Sequence, residues 1–498
     1  MTFSKKTAYS PIPEELRKKI PPSRALELMP AELIREFRAF IFEADENSLL
    51  KIAAASPDDI SLRQFAKARF GEKVKWFKTG NEDIDRILQN IPKNIKTDID
   101  AFVRIDGGTN SSITKIVDRM LKGALEEKAS DIHIEPLREI TLIRFRVDGM
   151  LHTVSELPRD MHSAIIARLK ILANLKIDEY RRPQDGRIES KDMPSVSFRV
   201  STIPALYGEK AVLRVLDDSH KNFSAKYLGF SNEHEAMLLR NMEKPFGMIV
   251  TSGPTGSGKT TTLYALLNLL KKDGINISTL EDPIEYSLAG INQIQVNPRF
   301  DFTFASGLRA LLRQDPDVIM VGEIRDSETA IMASNAALTG HLVLTTIHTN
   351  DAPSVFSRFL EMKVEDFMTA SVINLVIAQR LVRKICDGCF VNKKLDPLII
   401  RKIMEREDIK KTLEKTEFSI GEGCDLCFKT GYNGRIGLFE LLELNKEIHD
   451  LILEHASAGK IREAAEKTGF KNMLEDGIEK VFAGLTTLEE VMRVTKAT

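Results

Sequence analysis

Gly253-Pro254-Thr255-Gly256-Ser257-Gly258-Lys259-Thr260 is the stretch whose reading decides the fold of this chain. Its spacing is that of a phosphate-binding loop, G-x-x-x-x-G-K-[ST]. It follows the apolar run Met248-Ile249-Val250 and opens a helical stretch over 261–271, the strand–loop–helix setting the motif requires. Glycines let successive backbone N–H groups turn inward around phosphate oxygens, and the helix N-terminus adds partial positive charge. Lys259 is placed to reach the β- and γ-phosphates, and the Thr260 hydroxyl to ligate Mg²⁺. The loop and Thr261 are therefore the expected ATP-binding residues. From about 227 to 385, strands alternate with helices: 248–251, a helix from Gly258, 275–280, a helix near 303–313, 318–321, a helix near 327–338, and 342–346. That rhythm predicts an α/β fold on a largely parallel sheet.

Carboxylates and histidines follow the loop in an order a nucleotide hydrolase needs. Glu281-Asp282-Pro283-Ile284-Glu285 ends one expected strand, and such ends line the ligand crevice of a parallel sheet. Glu281 and Glu285 are candidate catalytic carboxylates; a solvated acidic turn is the competing reading. Four apolar residues, Val318 to Val321, run into Gly322-Glu323. Gly322 stands where a Mg²⁺-orienting Asp is usual, which leaves Glu323 to orient the attacking water or the water-bound Mg²⁺. His341 and His348 bracket the next strand and are not expected to be metal ligands.

The chain has 498 residues, with 71 Lys+Arg against 72 Asp+Glu. A net charge of −1 supplies no basic field, so nucleic acid is not an expected partner. The N-terminus lacks the apolar core of a signal peptide, and no apolar run reaches about 18 residues, the length that spans a bilayer. The expected location is the cytosol, with only peripheral membrane contact. Residues 14 to about 100 read as helical, because Leu28, Leu33, Ile34, Phe37, Phe40 and Ile41 recur near the helical period. Ile105 to Ser112 reads as a linker, 113–216 as a small α+β domain, and 217–222 as a polar separator. The expected segments are 1–105, 106–222, 223–385, 386–430 and a charged helical tail, 431–498.

Cys386-x-x-Cys389 and Cys424-x-x-Cys427 use all four cysteines, too few for a disulfide scaffold. Two C-x-x-C pairs complete a closed tetrahedral thiolate site, so the reading is a structural zinc. The 34 residues between the pairs exceed the usual zinc-ribbon spacing. An iron–sulfur reading lacks a redox-partner motif, and a redox-active pair lacks thioredoxin-like context.

These boxes, in this order, resemble the secretion ATPase superfamily, specifically the bacterial type II secretion and type IV pilus assembly ATPases. Leu312 to Asp326 matches the family signature, Glu281 to Glu285 is similar to its Asp box, and His341 and His348 fall in its His box. The resemblance covers about 113–498. It implies a RecA-like motor core, a PAS-like middle domain and a homohexameric ATPase on the cytoplasmic face of the inner membrane. It also makes the missing Asp at Gly322 normal. It implies that arginines of the middle domain reach the nucleotide: Arg187 and Arg199 match best, Arg214 less well. Such arginines would supply positive charge in the transition state. The segment Ala129 to Pro136 matches a packing element, with His133 structural. The tetracysteine element points to assembly or secretion rather than retraction. The N-terminal region is expected to dock on an inner-membrane platform or adaptor. It lacks the Arg-Leu-Gly repeats with which some relatives bind a cyclic dinucleotide, so none is expected. Two rival readings are a DNA-translocating conjugation ATPase, disfavoured by the neutral charge, and an ATP-gated scaffold that does not hydrolyse, disfavoured by intact Lys259, Thr260 and Glu323.

Overall fold

The chain divides into two compact units, 1–219 and 220–498; among the described residues two sheets organise the first, and a seven-stranded sheet with a separate two-stranded hairpin organises the second. The computed structural model describes residues 9–13, 21–44, 49–90, 95–106, 110–189, 195–217, 225–394 and 417–495. The core of the expected linker (107–109) and most of the expected separator (218–222) lie outside the described residues.

The first unit opens with strands β1 (Ser10–Pro11), β2 (Ala39–Glu43), β3 (Leu50–Ala54) and β4 (Val74–Lys78), in the order β1-β4-β3-β2. The region read as helical is thus mixed. Helices are present, among them Ala31–Phe37, but that one stops at Arg38, whose φ of 49° is left-handed and reverses the chain. Phe40 and Ile41, counted into the helical period, lie on β2, a strand buried along nearly its whole length. A strand buried on both faces loses its alternation, so its apolar run continued the helical spacing by coincidence.

The second sheet is antiparallel: β5 (Asp131–Pro136), β6 (Ile140–Val147), β7 (Met150–Pro158), β8 (Gln184–Glu189), β9 (Val196–Ala205) and β10 (Gly208–Asp217), ordered β7-β6-β5-β10-β9-β8. Asp148 and Gly149 both have positive φ, as the two-residue turn between β6 and β7 demands. One face buries Ile132, Ile134, Phe145, Phe198, Val200 and Leu213 in a core that extends back to Ile12. The expected α+β character holds here.

The second unit contains β11 (Gly247–Ser252), β12 (Ile277–Glu281), β13 (Asn292–Gln295), β14 (Val318–Val321), β15 (Leu342–Ile347), β16 (Ile373–Ile385), the hairpin β17 (Phe390–Lys394) and β18 (Glu417–Gly421), and β19 (Tyr432–Glu443). The main sheet runs β13-β12-β14-β15-β11-β16-β19, parallel except for β19. The helix Lys259–Leu270 packs on one face, and Ser327–Leu338 on the other. The tail read as helical begins instead with the strand β19, because 438–442 is a buried run, apolar except for Glu440, that completes the sheet edge. Four helices follow: Lys446–Leu453, Ala458–Glu466, Met473–Phe482 and Leu488–Thr495. Among the described residues no helix is long and apolar enough to cross a membrane.

Candidate functional site

β11 stops at Ser252 and its helix begins at Lys259; the loop between them turns on glycine. Gly253 has φ 141°, and a Cβ there would lie 2.5 Å from the Gln379 carbonyl oxygen and 2.7 Å from Ser257 Oγ. Gly258, at φ 90°, caps the helix in a left-handed conformation that other residues adopt at a cost. Thr260 and Thr261 occupy the first helical turn. Lys259 Nζ donates to the carbonyls of Gly253 at 2.9 Å and Pro254 at 3.1 Å. Burial depresses the Lys259 pKa; Glu323 opposes that shift and Arg380 adds to it.

Parallel register decides which histidine joins the loop. Gly247 pairs with Leu342 and Ser252 with Ile347, so β11 and β15 end together. His348 follows β15 at the carboxyl edge, beside the start of the loop. His341 precedes β15 at the other end, about 20 Å away for six residues at roughly 3.3 Å each. There its Nδ1 lies 2.9 Å from the Ala336 carbonyl at the end of the helix Ser327–Leu338. Within this unit, His348 is part of the cluster and His341 is not.

Glu323 follows β14 at the same edge. It accepts from Arg325 Nη2 at 2.5 Å, and its other oxygen lies 3.7 Å from His348 Nε2. The Arg325 pKa is raised chiefly by its bond to Glu323. The His348 pKa is lowered by burial first and then by Lys259, against the pull of Glu323. Burial and Lys259 thus both favour the neutral imidazole beside Glu323.

Glu281 occupies a different environment. It ends β12 and is only 2% exposed. It accepts from the Tyr264 hydroxyl, from Thr279 Oγ1 at 2.5 Å and from Gln293 Nε2 at 3.0 Å. Burial and this carboxylate raise the Tyr264 pKa. The arrangement ties the loop helix to β12 and leaves Glu281 little freedom to handle water. Glu285 lies in the segment before β13, half-buried, with its backbone bonded to Tyr264.

Gln379 of β16 had no sequence signal beyond lying in an apolar strand. It is 1% exposed, and its Nε2 donates to the Ser257 carbonyl at 2.6 Å while its Oε1 accepts from Thr262 Oγ1 at 2.8 Å. A buried amide with both ends satisfied inside the phosphate loop fixes the loop from outside.

In the first unit, Arg187 of β8 stands directly opposite Arg199 of β9, and Arg199 opposite Arg214 of β10. Arg187 and Arg199 are exposed; Arg187 donates to Ser197 Oγ at 2.9 Å, and Arg214 to Asp131 at 3.2 Å. Like charges directly opposite are unfavourable unless an anion meets them. Arg214 has its anion in Asp131. His133 sits near Glu135 at 3.7 Å, with its pKa lowered mainly by burial.

Cys386 directly follows β16, Cys389 precedes β17, and Cys424 and Cys427 follow β18, so the hairpin closes the long spacing. All four Sγ atoms lie within 4.8 Å of one another, with three pairs at 3.8 Å. Tetrahedral bonds of about 2.3 Å separate ligand sulfurs by roughly 3.8 Å, so the spacing fits zinc. Backbone N–H groups point at the sulfurs: Gly423 to Cys389 at 3.3 Å, Cys424 and Gly431 to Cys427 at 3.2 and 3.3 Å. Burial pushes Cys386 up to about 12, whereas these N–H bonds outweigh burial at Cys427 and hold it at about 6.

Fold and site together define a P-loop nucleotide-binding protein of the RecA-like α/β class. The chain matches the type II/IV secretion system protein family over residues 107–493 and the MshEN domain over 11–97. It belongs to the type II/IV secretion system protein family. It is 45% identical over 421 residues to the type IV pilus assembly ATPase PilB of Pseudomonas aeruginosa, covering 84% of this chain and 73% of that protein. It is 43% identical over 415 residues to the type II secretion system protein HxcR of the same organism, covering 83% and 82%. Among solved structures, the pilus retraction motor PilT with bound ADP superposes with a TM-score of 0.52 at 26% identity, covering 76% of this chain and 96% of that one.

Proposed function

We propose that this chain is a Mg²⁺-dependent ATP hydrolase that powers assembly of a type IV pilus or of a type II secretion pseudopilus. The observation that carries the reading is the meeting of Lys259, Glu323 and His348 at one sheet edge, in a chain of this family. Relatives named for pilus assembly and for type II secretion are 45% and 43% identical, so identity does not separate the two systems.

ATP binds on 253–261. The loop N–H groups and Lys259 neutralise the phosphates, and the Thr260 hydroxyl would hold Mg²⁺, which supplies further positive charge at the transferred phosphoryl group. Glu323 orients the attacking water, with Arg325 fixing its carboxylate and His348 available to hydrogen-bond water or phosphate. Glu281 keeps the loop helix in register. Arg187 and Arg199 supply transition-state positive charge, and successive closures around a homohexamer become mechanical work on an inner-membrane platform or adaptor. The four cysteines hold zinc as a structural crosslink. The protein works in the cytoplasm, peripheral to the inner membrane, without nucleic acid.

Phosphate release by the purified chain with Mg²⁺ and ATP, with and without phospholipid vesicles, tests this. Turnover that Lys259→Ala abolishes supports it; ATP binding with no turnover under either condition supports a nucleotide-gated scaffold instead.

A further inference from the structure

Beyond Glu323 and Gln379, one charged group beside the loop has no assigned task. β16 continues past the end of β11: Ser252 pairs with Ala378, so Gln379 and Arg380 run alongside the phosphate loop itself. Gln379 turns toward the loop helix, and Arg380, the next residue, lies on the other face of the strand. There its Nη2 comes no closer than 3.4 Å to Asn350, two residues beyond His348. Its Nε is buried without a hydrogen-bond partner.

The two acids nearest in effect are already engaged. Asp351 pairs with Arg462 at 2.7 Å and accepts from the Ser354 N–H at 2.9 Å. Glu440 accepts the N–H groups of Ala352 at 3.0 Å and Met473 at 3.2 Å. Burial lowers the Arg380 pKa, with Glu440 and Asp351 opposing the shift, and its charge is felt at Lys259. A half-buried guanidinium without a close counter-ion is costly, and an arriving phosphate would relieve that cost.

We propose that Arg380 is a phosphate-binding residue of the nucleotide site, a second cation supplied by the motor core beside Lys259. The proposal rests on the nucleotide-binding reading above and adds a residue to it. Arg380 runs beside the phosphate loop and its side chain reaches toward Asn350 of the loop carrying His348, so a bound phosphate tail would link the two loops through one side chain.

Binding of a fluorescent ATP analogue to the full chain tests this, with melting of the nucleotide-free protein measured in parallel. Arg380→Gln should weaken ATP binding by about 10- to 100-fold, the range of a hydrogen bond to a charged group. Its nucleotide-free melting temperature should stay near that of the wild type. A guanidinium that merely balances buried Glu440 predicts the reverse, a lower melting temperature with unchanged affinity, and that result overturns the proposal. If the single variant does not fold, R380Q/E440Q removes the buried acid as well and is compared with E440Q in the same assay; equal affinities there overturn the proposal. Binding lost in Lys259→Ala but intact in Arg380→Gln overturns this inference alone. A wild-type chain that binds no nucleotide overturns both it and the functional reading.

Discussion

The side-chain amide of Gln379 donates to the backbone carbonyl of Ser257 at 2.6 Å, so the phosphate loop is braced by the neighbouring strand as well as by its own glycines. Gln379→Leu keeps the volume and removes both bonds. It strands the Ser257 carbonyl and the Thr262 hydroxyl, each at a cost of about 1–3 kcal/mol. The expected outcome is a lower melting temperature and a raised KM for ATP, measured by thermal unfolding and steady-state kinetics. Unchanged values for both would show that the loop holds its shape unaided.

Glu323 and Glu281 are separable by substitution. Glu323→Gln should bind ATP and turn it over about 10²–10⁴-fold more slowly, the usual contribution of a positioned base. Glu281→Gln disturbs the Tyr264, Thr279 and Gln293 network instead. It should lower the melting temperature and leave a larger share of kcat. Normal turnover in Glu323→Gln, with loss in Glu281→Gln, would move the base to β12.

The cysteine cluster makes a prediction independent of nucleotide. The purified chain should carry about one zinc per chain by elemental analysis, the stoichiometry of a closed four-thiolate site. Cys427→Ser should lose it, because that sulfur is the one most stabilised as thiolate by backbone N–H groups. Chelation should lower the melting temperature of the second unit. Full zinc content in Cys427→Ser would exclude a four-sulfur site.

What could be read from the sequence follows from the range of the interactions involved. The phosphate loop, the Glu323 strand and the paired cysteines are local patterns: the structure places the first two at the expected strand ends, and the hairpin β17–β18, which the sequence did not signal, brings the cysteine pairs together. β2 and β19 were misread because a strand buried on both faces carries no period of two. The two histidines looked equivalent in sequence, and only the parallel register of β11 and β15 puts His348 at the working edge and His341 at the far one. Gln379 is 122 residues from Ser257, and no local pattern signals a contact of that span.

Acid should destabilise the second unit through His234. Burial depresses its pKa, with Lys480 and Lys471 assisting and Asp476 and Glu479 opposing. Below the unfolded value of about 6.5, the unfolded chain binds a proton that the folded chain refuses, so stability falls as pH drops from there toward the folded value. His234→Gln should shrink the difference in melting temperature between pH 7 and pH 5. An unchanged difference would assign the acid sensitivity to other groups.

The central claim is that the edge holding Lys259, Glu323 and His348 hydrolyses ATP. Its most direct measurement is single-turnover phosphate release from Mg²⁺-ATP by the wild type, Lys259→Ala and Glu323→Gln, with bound nucleotide quantified in the same samples. The account predicts release by the wild type, bound ATP without appreciable release in Glu323→Gln, and neither in Lys259→Ala. Release at the wild-type rate in Lys259→Ala would contradict it.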